Sequence, residues 1–384
     1  MNLVGVICEY NPFHNGHMRQ LRAIREQLGQ DTAVVCLMSG DWVQRGAPAI
    51  IPTHLRAEAA VRCGADLVLE LPIPYVLSSA EGFAAGGVRI LTELGCDRLS
   101  FGSEQGRAEP LMSAARLQFD PDFDARLREA LASGVSYASA RAEALRALGA
   151  PDVVSKPNDI LGVEYCKAIL RQGCSMQPLV IPRAGAYHAE ALDPAEPSAS
   201  ALRRVLVDGG QWQEAVPDRL RSLYETAERH LSSNGERAVL ARLRTLSDDA
   251  FKALPFGSEG LWCRLMRFAR TEATVDAVID GTKTKRYARA RIQRMVLCAF
   301  LGLTESLMQT EPPYVRILAF NDCGRSLLRQ ARTRLPLLDS GERAADGAYA
   351  AFEAHSADLY ALFSDGPVAP GGALLRRRNV YIHA

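Results

Sequence analysis

The chain has 384 residues, of which 48% are hydrophobic and 23% charged, and carries a formal net charge of +1. This excludes a dominantly disordered state and leaves enough chain for two domains with real cores. It also excludes a uniformly positive coat, so any contact with nucleic acid has to come from a local cluster of cations. Nine cysteines, an odd number, show neither a C-x-x-C pair nor zinc-ligand spacing. Set mostly in apolar runs, they read as buried free thiols of a reducing cytosol, and no protein-held metal is expected. No apolar stretch approaches the roughly 18 residues of a membrane span. The N-terminal apolar run has no basic leader and meets Glu9, so it reads as a strand rather than a signal peptide, and a cytoplasmic location is expected.

Leu3 to Cys8 is that first strand, and Asn11-Pro12-Phe13-His14-Asn15-Gly16-His17 follows it directly. The pattern predicts a tight strand-to-helix junction, the place where an open α/β sheet binds ligands. His14 and His17, three apart, share one helical face, and Gly16 removes a side chain from it. The helix N-terminus adds free N–H groups and a partial positive charge, which suits a triphosphate. Two ordinary histidines are the bland alternative, and the placement after a strand speaks against it.

Further apolar runs at Ala33 to Met38, Ala65 to Leu71 and Arg98 to Phe101 alternate with helical patterns and predict parallel βαβ units. Their closing turns, Glu9-Tyr10-Asn11, Ser39-Gly40-Asp41, Glu70-Leu71-Pro72 and Gly102-Ser103-Glu104, should line one crevice. Within Ser39 to Gly46, Arg45 is placed to hold a carboxylate and Asp41 to orient an amine or a metal-bound water, with a structural Asp–Arg pair equally open. Residues 108–150 read as a helical insertion. Asn158 to Tyr165 opens another helix with Pro157 at its boundary, and Leu179 to Arg183 returns as a strand.

Ser198 to Arg204 predicts a serine-capped helix. There Ser200, Arg203 and Arg204 make a second phosphate candidate, loosely of S-x-x-I-R type, against the alternative of solvated arginines. A domain boundary is placed near residue 210, giving units 1–210 and 211–384. The second is mostly helical with one strand at Val315 to Phe320. Its most basic stretch, Lys283 to Arg294, includes Lys283, Lys285, Arg286, Arg289 and Arg294, with Tyr287 able to stack on a base. On a helix these cations would cluster and suit RNA phosphates, unless they are merely a solvated face.

The ordered series H-x-G-H, Ser39-Gly40-Asp41-Trp42-Val43-Gln44-Arg45-Gly46, Phe101-Gly102-Ser103-Glu104, Asn158 to Tyr165, Lys283 to Arg294 and Pro312 to Asn321 resembles the bacterial tRNA(Met) cytidine acetate ligase family over nearly the whole chain. The resemblance implies a Rossmann-like parallel sheet of the H-x-G-H nucleotidyltransferase type, class α/β, joined to a mostly helical region that holds tRNA. It implies activation of acetate by ATP and acetylation of the wobble cytidine of elongator tRNA(Met). It places the ATP site on Ile7, Cys8, Glu9, Tyr10, Asn11, Pro12, Phe13, His14, Asn15, Gly16, His17, Met18, Arg19 and Gln20, with Gly102, Asn158, Arg183 and Ala184. Against the family pattern, Arg183 to His188 is one residue shorter, and Gln20 stands where a basic or bulky residue is expected.

The expected reaction runs through acetyl-adenylate. His14, His17 and Arg203 stabilise phosphate charge, Asp41 belongs to the same catalytic set, and Mg2+ accompanies ATP. The other readings open at this stage are an adenylyltransferase of the coenzyme or dinucleotide type and a noncatalytic tRNA-binding protein. The size of the basic helical region disfavours the first of them.

Overall fold

The computed structural model describes residues 2–153, 156–183, 192–331 and 333–383. The main sheet is built from β1 (Leu3–Cys8), β2 (Ala33–Ser39), β5 (Leu67–Leu71), β6 (Arg98–Ser103), β7 (Gln177–Pro182), β8 (Val315–Phe320), β9 (Leu337–Asp339) and β10 (Val380–Tyr381). A small hairpin pairs β3 (Trp42–Val43) with β4 (Ala47–Pro48). The sheet order is β10-β8-β5-β2-β1-β6-β7, with β9 beside β8. β1 runs parallel to both β2 and β6, and the chain winds outward from it in both directions. The carboxyl ends of β1 and β6 therefore border the switch-point crevice.

Strand alternation sends side chains to two buried faces. Val34, Cys36 and Met38 pack with Val4, Val6, Leu21, Ile24 and Ala57 on one side. Val35 and Leu37 pack with Ile7, Leu69, Val88, Leu91 and Val163 on the other. Helices Asn15–Leu28 and Thr53–Arg62 cover the first face, and helices Ala80–Glu93 and Pro157–Gln172 the second. A Cβ on Gly87 would stand 2.4 Å from Ile7 Cδ1, so the helix holding it can lie flush on β1. The expected insertion is three helices, Ala108–Leu117, Phe123–Ala132 and Tyr137–Ala147, with a small core of Phe123, Ala144 and Leu145.

The sheet does not stop at residue 210. β8, β9 and β10 come from beyond it, and β8 pairs antiparallel with β5, Leu67 opposite Phe320 and Val68 opposite Ala319. Left open, the edge of β5 would present unpaired backbone groups, and the apolar run Val315–Phe320 covers them. The hairpin loop is also held from the C-terminal side. Trp42 meets the rings of Phe300, Tyr360 and Phe363 edge-on at 6.4, 5.7 and 5.3 Å. A Cβ on Gly46, whose φ is +77°, would lie 2.6 Å from the backbone at Gln293 and Arg294.

Asp66 is the joint between the two parts of the sheet. Its Oδ2 accepts hydrogen bonds from Arg25 Nη2 and Val34 N, both at 2.7 Å, and its Oδ1 from Asn321 Nδ2 at 2.9 Å. Asp66→Ala is expected to cost about 3 kcal/mol, because it strands a half-buried guanidinium and a buried amide together. Chemical denaturation measures this, and an unchanged midpoint would remove Asp66 from that role.

Candidate active site

His14 is the N-cap of helix Asn15–Leu28, in extended conformation. Its Nδ1 accepts from Gly16 N at 3.1 Å, and its own backbone N donates to His17 Nδ1 at 3.2 Å. This is a capping box in which imidazoles replace the usual hydroxyl and carboxylate. Since each Nδ1 accepts, the neutral tautomer of both rings carries its proton on Nε2. The rings stack at 3.7 Å and 21°, backed by Tyr10 at 4.8 Å and Phe13 at 5.4 Å from His17.

Burial, then Arg183, Arg19 and Arg203, lower the His14 pKa to about 3. Burial, then His14 and Arg183, hold His17 well below the ordinary histidine range. Both rings are therefore neutral N–H donors near pH 7, and the neighbouring arginines carry the positive charge. A Cβ on Gly16 would stand 3.0 Å from His14 Cε1, so a side chain there would press on the capping imidazole.

The remaining expected residues divide into walls and braces. Ile7, Tyr10 and Phe13 are buried, Met18 packs against the same core as Phe13, and Cys8 Sγ reaches Leu37 O at 3.8 Å. Glu9 Oε1 accepts from Gln44 N at 2.7 Å, Asn15 Nδ2 donates to Glu214 O at 2.7 Å, and Gln20 Nε2 reaches Ser100 Oγ at 3.4 Å. Asn11 Oδ1 accepts from Ile50 N at 2.8 Å, and its carbonyl, next to Pro12, accepts from Arg203 Nη1 at 2.6 Å. Arg203 sits on helix Ala199–Asp208, whose cap is Ser198, so Ser200 lies inside the first turn and Arg204 is exposed. Arg19 pairs with Glu196 at 3.0 Å.

On the β6 side, the aliphatic stem of Arg183 lies over Gly102, where a Cβ would come within 2.5 Å of Arg183 Cδ. Asn158 Nδ2 donates to Glu104 Oε1 at 2.7 Å, and Ser103 Oγ donates to buried Asp159. Two of the sequence motifs thus lock each other. Ala184 and most of the stretch to His188 lie outside the described residues.

Asp41 is buried, accepting from Thr53 Oγ1 at 2.6 Å and from the Arg377 guanidinium, which also stands 3.6 Å from Glu70. The arginine that pairs with Asp41 is thus Arg377 from the C-terminal tail and not Arg45 of the same loop, which is exposed. Burial raises Glu70 to about 7 against the pull of Arg377. Sequence reasoning also missed Arg56, which donates to the carbonyls of Glu9, Gly40 and Ile51 and so ties the ends of β1 and β2 together. Its signal was an arginine on the apolar face of an alanine-rich helix. Arg377, in a run of three arginines, carried none.

The basic stretch is not one helix. Lys283 ends helix Val275–Thr282 and Ala288 precedes helix Arg289–Leu301, both in extended backbone, so 283–288 forms the connection. Lys283, Lys285 and Arg286 are exposed, Arg286 pairing with Glu259 at 3.0 Å. Arg289 is held by Asp276 at 2.5 Å and by Asp280. Arg294, expected among the RNA-facing cations, is buried over the Phe256 ring at 5.3 Å, because it follows the inward face of its helix. Tyr287 gives its hydroxyl to Glu259 and its ring to Arg291 at 4.7 Å. Among the described residues no group of three or more His, Cys, Asp or Glu is placed to hold a metal, and no helix is long and apolar enough to cross a membrane.

A capped H-x-G-H turn at the switch point of a parallel sheet defines the nucleotidyltransferase class, and the model of the HIGH nucleotidyl transferase family matches residues 1–370. The chain is 37% identical to the tRNA(Met) cytidine acetate ligase of Syntrophotalea carbinolica, over 89% of this chain and 86% of that one. It is 32% identical to that of Kosmotoga olearia over 100% of both. A crystal structure of Thermotoga maritima TmcAL bound with alpha-thio ATP matches at a TM-score of 0.88 and 28% identity, again over 100% of both chains. The chain belongs to the HIGH nucleotidyl transferases and, within them, to the tRNA(Met) cytidine acetate ligases.

The depressed pKa of His14 has a stability consequence. The unfolded chain takes up a proton below about pH 6.5 that the native ring refuses until about pH 3, so this contribution is complete above 6.5 and is lost as pH falls through that interval. Thermal unfolding between pH 4 and 7 should show a shallower decline for His14→Gln than for the natural protein. Parallel declines would mean that His14 is not held neutral.

Proposed function

We propose that the protein activates acetate with ATP and transfers the acetyl group to the exocyclic amine of the wobble cytidine of elongator tRNA(Met). The observation that carries this reading is the pair of neutral Nε2–H donors at a helix N-terminus on the switch point, with Arg183 close enough to depress both rings and Arg19 and Arg203 close enough to depress His14. Acetate is a poor acyl donor because its leaving group would be oxide. An acetate oxygen attacks the α-phosphorus of ATP, the bond to the β-phosphate oxygen breaks, and acetyl-adenylate and pyrophosphate result. The two N–H donors and the arginines stabilise charge gathering on the phosphates, by positioning and electrostatics rather than proton transfer. The cytidine amine then attacks the acetyl carbonyl, loses one proton, and expels AMP. Mg2+ enters with the ATP as part of the substrate.

Incubation with labelled acetate and ATP, with and without tRNA, is the direct test. Label on tRNA together with AMP and pyrophosphate is expected, whereas transfer of the AMP group to a phosphate acceptor would overturn the reading. His14→Ala or His17→Ala should slow the activation step by about 100-fold, corresponding to roughly 3 kcal/mol of transition-state stabilisation. Near-natural turnover in the folded double variant would move the phosphate site elsewhere.

For tRNA binding the proposed contacts are the exposed cations of the 283–288 connection, which leads into the helix packed on the Gly46 loop. Replacing Lys283 and Lys285 by alanine should weaken binding and reduce the slope of log affinity against log salt by nearly two, about 0.9 for each phosphate left without its cation. An unchanged slope would place the RNA elsewhere.

A further inference from the structure

Most carboxylates at the carboxyl ends of the strands are already engaged. Asp41 accepts from Thr53 and Arg377, and Glu70 lies 3.6 Å from Arg377. Glu104 accepts from Asn158 Nδ2 at 2.7 Å and from Asp159 N at 3.2 Å, and Asp159 itself accepts from Ser103 and Gln105. Glu9, the half-buried residue that follows β1, differs from all of these. Its Oε1 accepts from Gln44 N at 2.7 Å, which fixes the side chain, whereas its Oε2 has neither a hydrogen bond nor an ion pair among the described residues. Arg56 reaches only its backbone carbonyl.

Alternation along β1 sets the side on which this carboxylate stands. Val4, Val6 and Cys8 pack on the first face with Phe13 and Leu21, whereas Ile7 packs on the second, and Glu9 follows Ile7. Its charge is felt there by Tyr165 of helix Pro157–Gln172, whose ring lies 5.2 Å from that of Phe101 on β6. Tyr165 is 2% exposed, and its hydroxyl also lacks a hydrogen-bond partner among the described residues. Burial, then Cys8 and Glu9, raise its pKa, so the phenol stays a neutral donor. An open acceptor and an open donor thus stand at the switch-point crevice, on the side of β1 away from the helix that the histidines cap.

We propose that Glu9 is the general base of acetyl transfer, receiving on Oε2 the proton that the acceptor amine loses. This rests on the acetyl-transfer reading and supplies a residue for its second step. In-line displacement at the α-phosphorus sets the entering acetate opposite the departing pyrophosphate. With pyrophosphate at the helix N-terminus on the first face, the acetyl group is left toward the second, beside Glu9 and Tyr165. The amine nitrogen bonds to the acetyl carbon, the bond from that carbon to the phosphate oxygen breaks, and AMP leaves with the electron pair. The nitrogen becomes strongly acidic as it bonds, so a carboxylate is base enough to take its proton.

Glu9→Gln in the full chain tests this, because it keeps an acceptor oxygen for Gln44 N and removes the base. The variant and the natural protein are each mixed with tRNA and one of two acetyl supplies. With acetate and ATP, the first-turnover burst of pyrophosphate is followed; with chemically prepared acetyl-adenylate, acetylcytidine is followed. Transfer from the ready-made acetyl-adenylate should fall by about 100-fold or more in the variant, the scale of a lost general base, with a much smaller loss in the pyrophosphate burst. A natural transfer rate, or equal losses in burst and transfer, would overturn the proposal. If the natural protein acetylates no tRNA from either supply, the acetyl-transfer reading fails as well; if it does and the variant keeps pace, the role of Glu9 fails alone.

Discussion

Two imidazoles each give one nitrogen to the backbone of the same helical turn, His14 accepting from Gly16 and His17 accepting from His14. This reciprocal bond satisfies amides that a helix N-terminus otherwise leaves open, fixes the tautomer of both rings, and brings them into face-to-face contact. Stacked, with His14 buried and His17 partly so, the rings cannot both charge and are left as donors of fixed direction. The hydrogen bonds that shape the turn also prepare its chemistry.

Around that turn the molecule uses arginine as an internal brace. Arg56 joins the ends of β1 and β2, and Arg203 holds the Asn11 carbonyl from a helix almost two hundred residues on. Buried Arg316 on β8 is answered by Glu353 at 2.8 Å, with Tyr314 donating to the same carboxylate at 2.7 Å. A planar guanidinium has five donors, which lets one side chain collect several carbonyls where strand ends would otherwise leave them unpaired. Removing one partner from such a group costs more than forming it gains.

Much of the fold was legible because its signals are local. β1 and β8 occupy the predicted runs, and β2 and β6 differ at their ends by a residue or two. The serine cap was expected, and Ser198 supplies it. The supposed basic helix failed because charge composition says nothing of backbone: Lys283 and Ala288 are extended, and Arg294 faces inward. The division near residue 210 was drawn where the apolar spacing turns mostly helical, and β8 to β10 cross it by joining the sheet.

By itself the sequence determined the strand-turn-helix unit, the pairing of His14 with His17 and the α/β class, since each depends on residues within a few positions of one another. Tertiary structure alone decided that Arg377 meets Asp41 across 336 residues, that β8 closes the edge of β5, and that His230 stacks face to face on Tyr360. Such contacts join distant segments through burial and charge pairing, and nothing in the spacing of either segment names its partner. Periodicity reports which face of an element is buried, and only the packed chain reports against what.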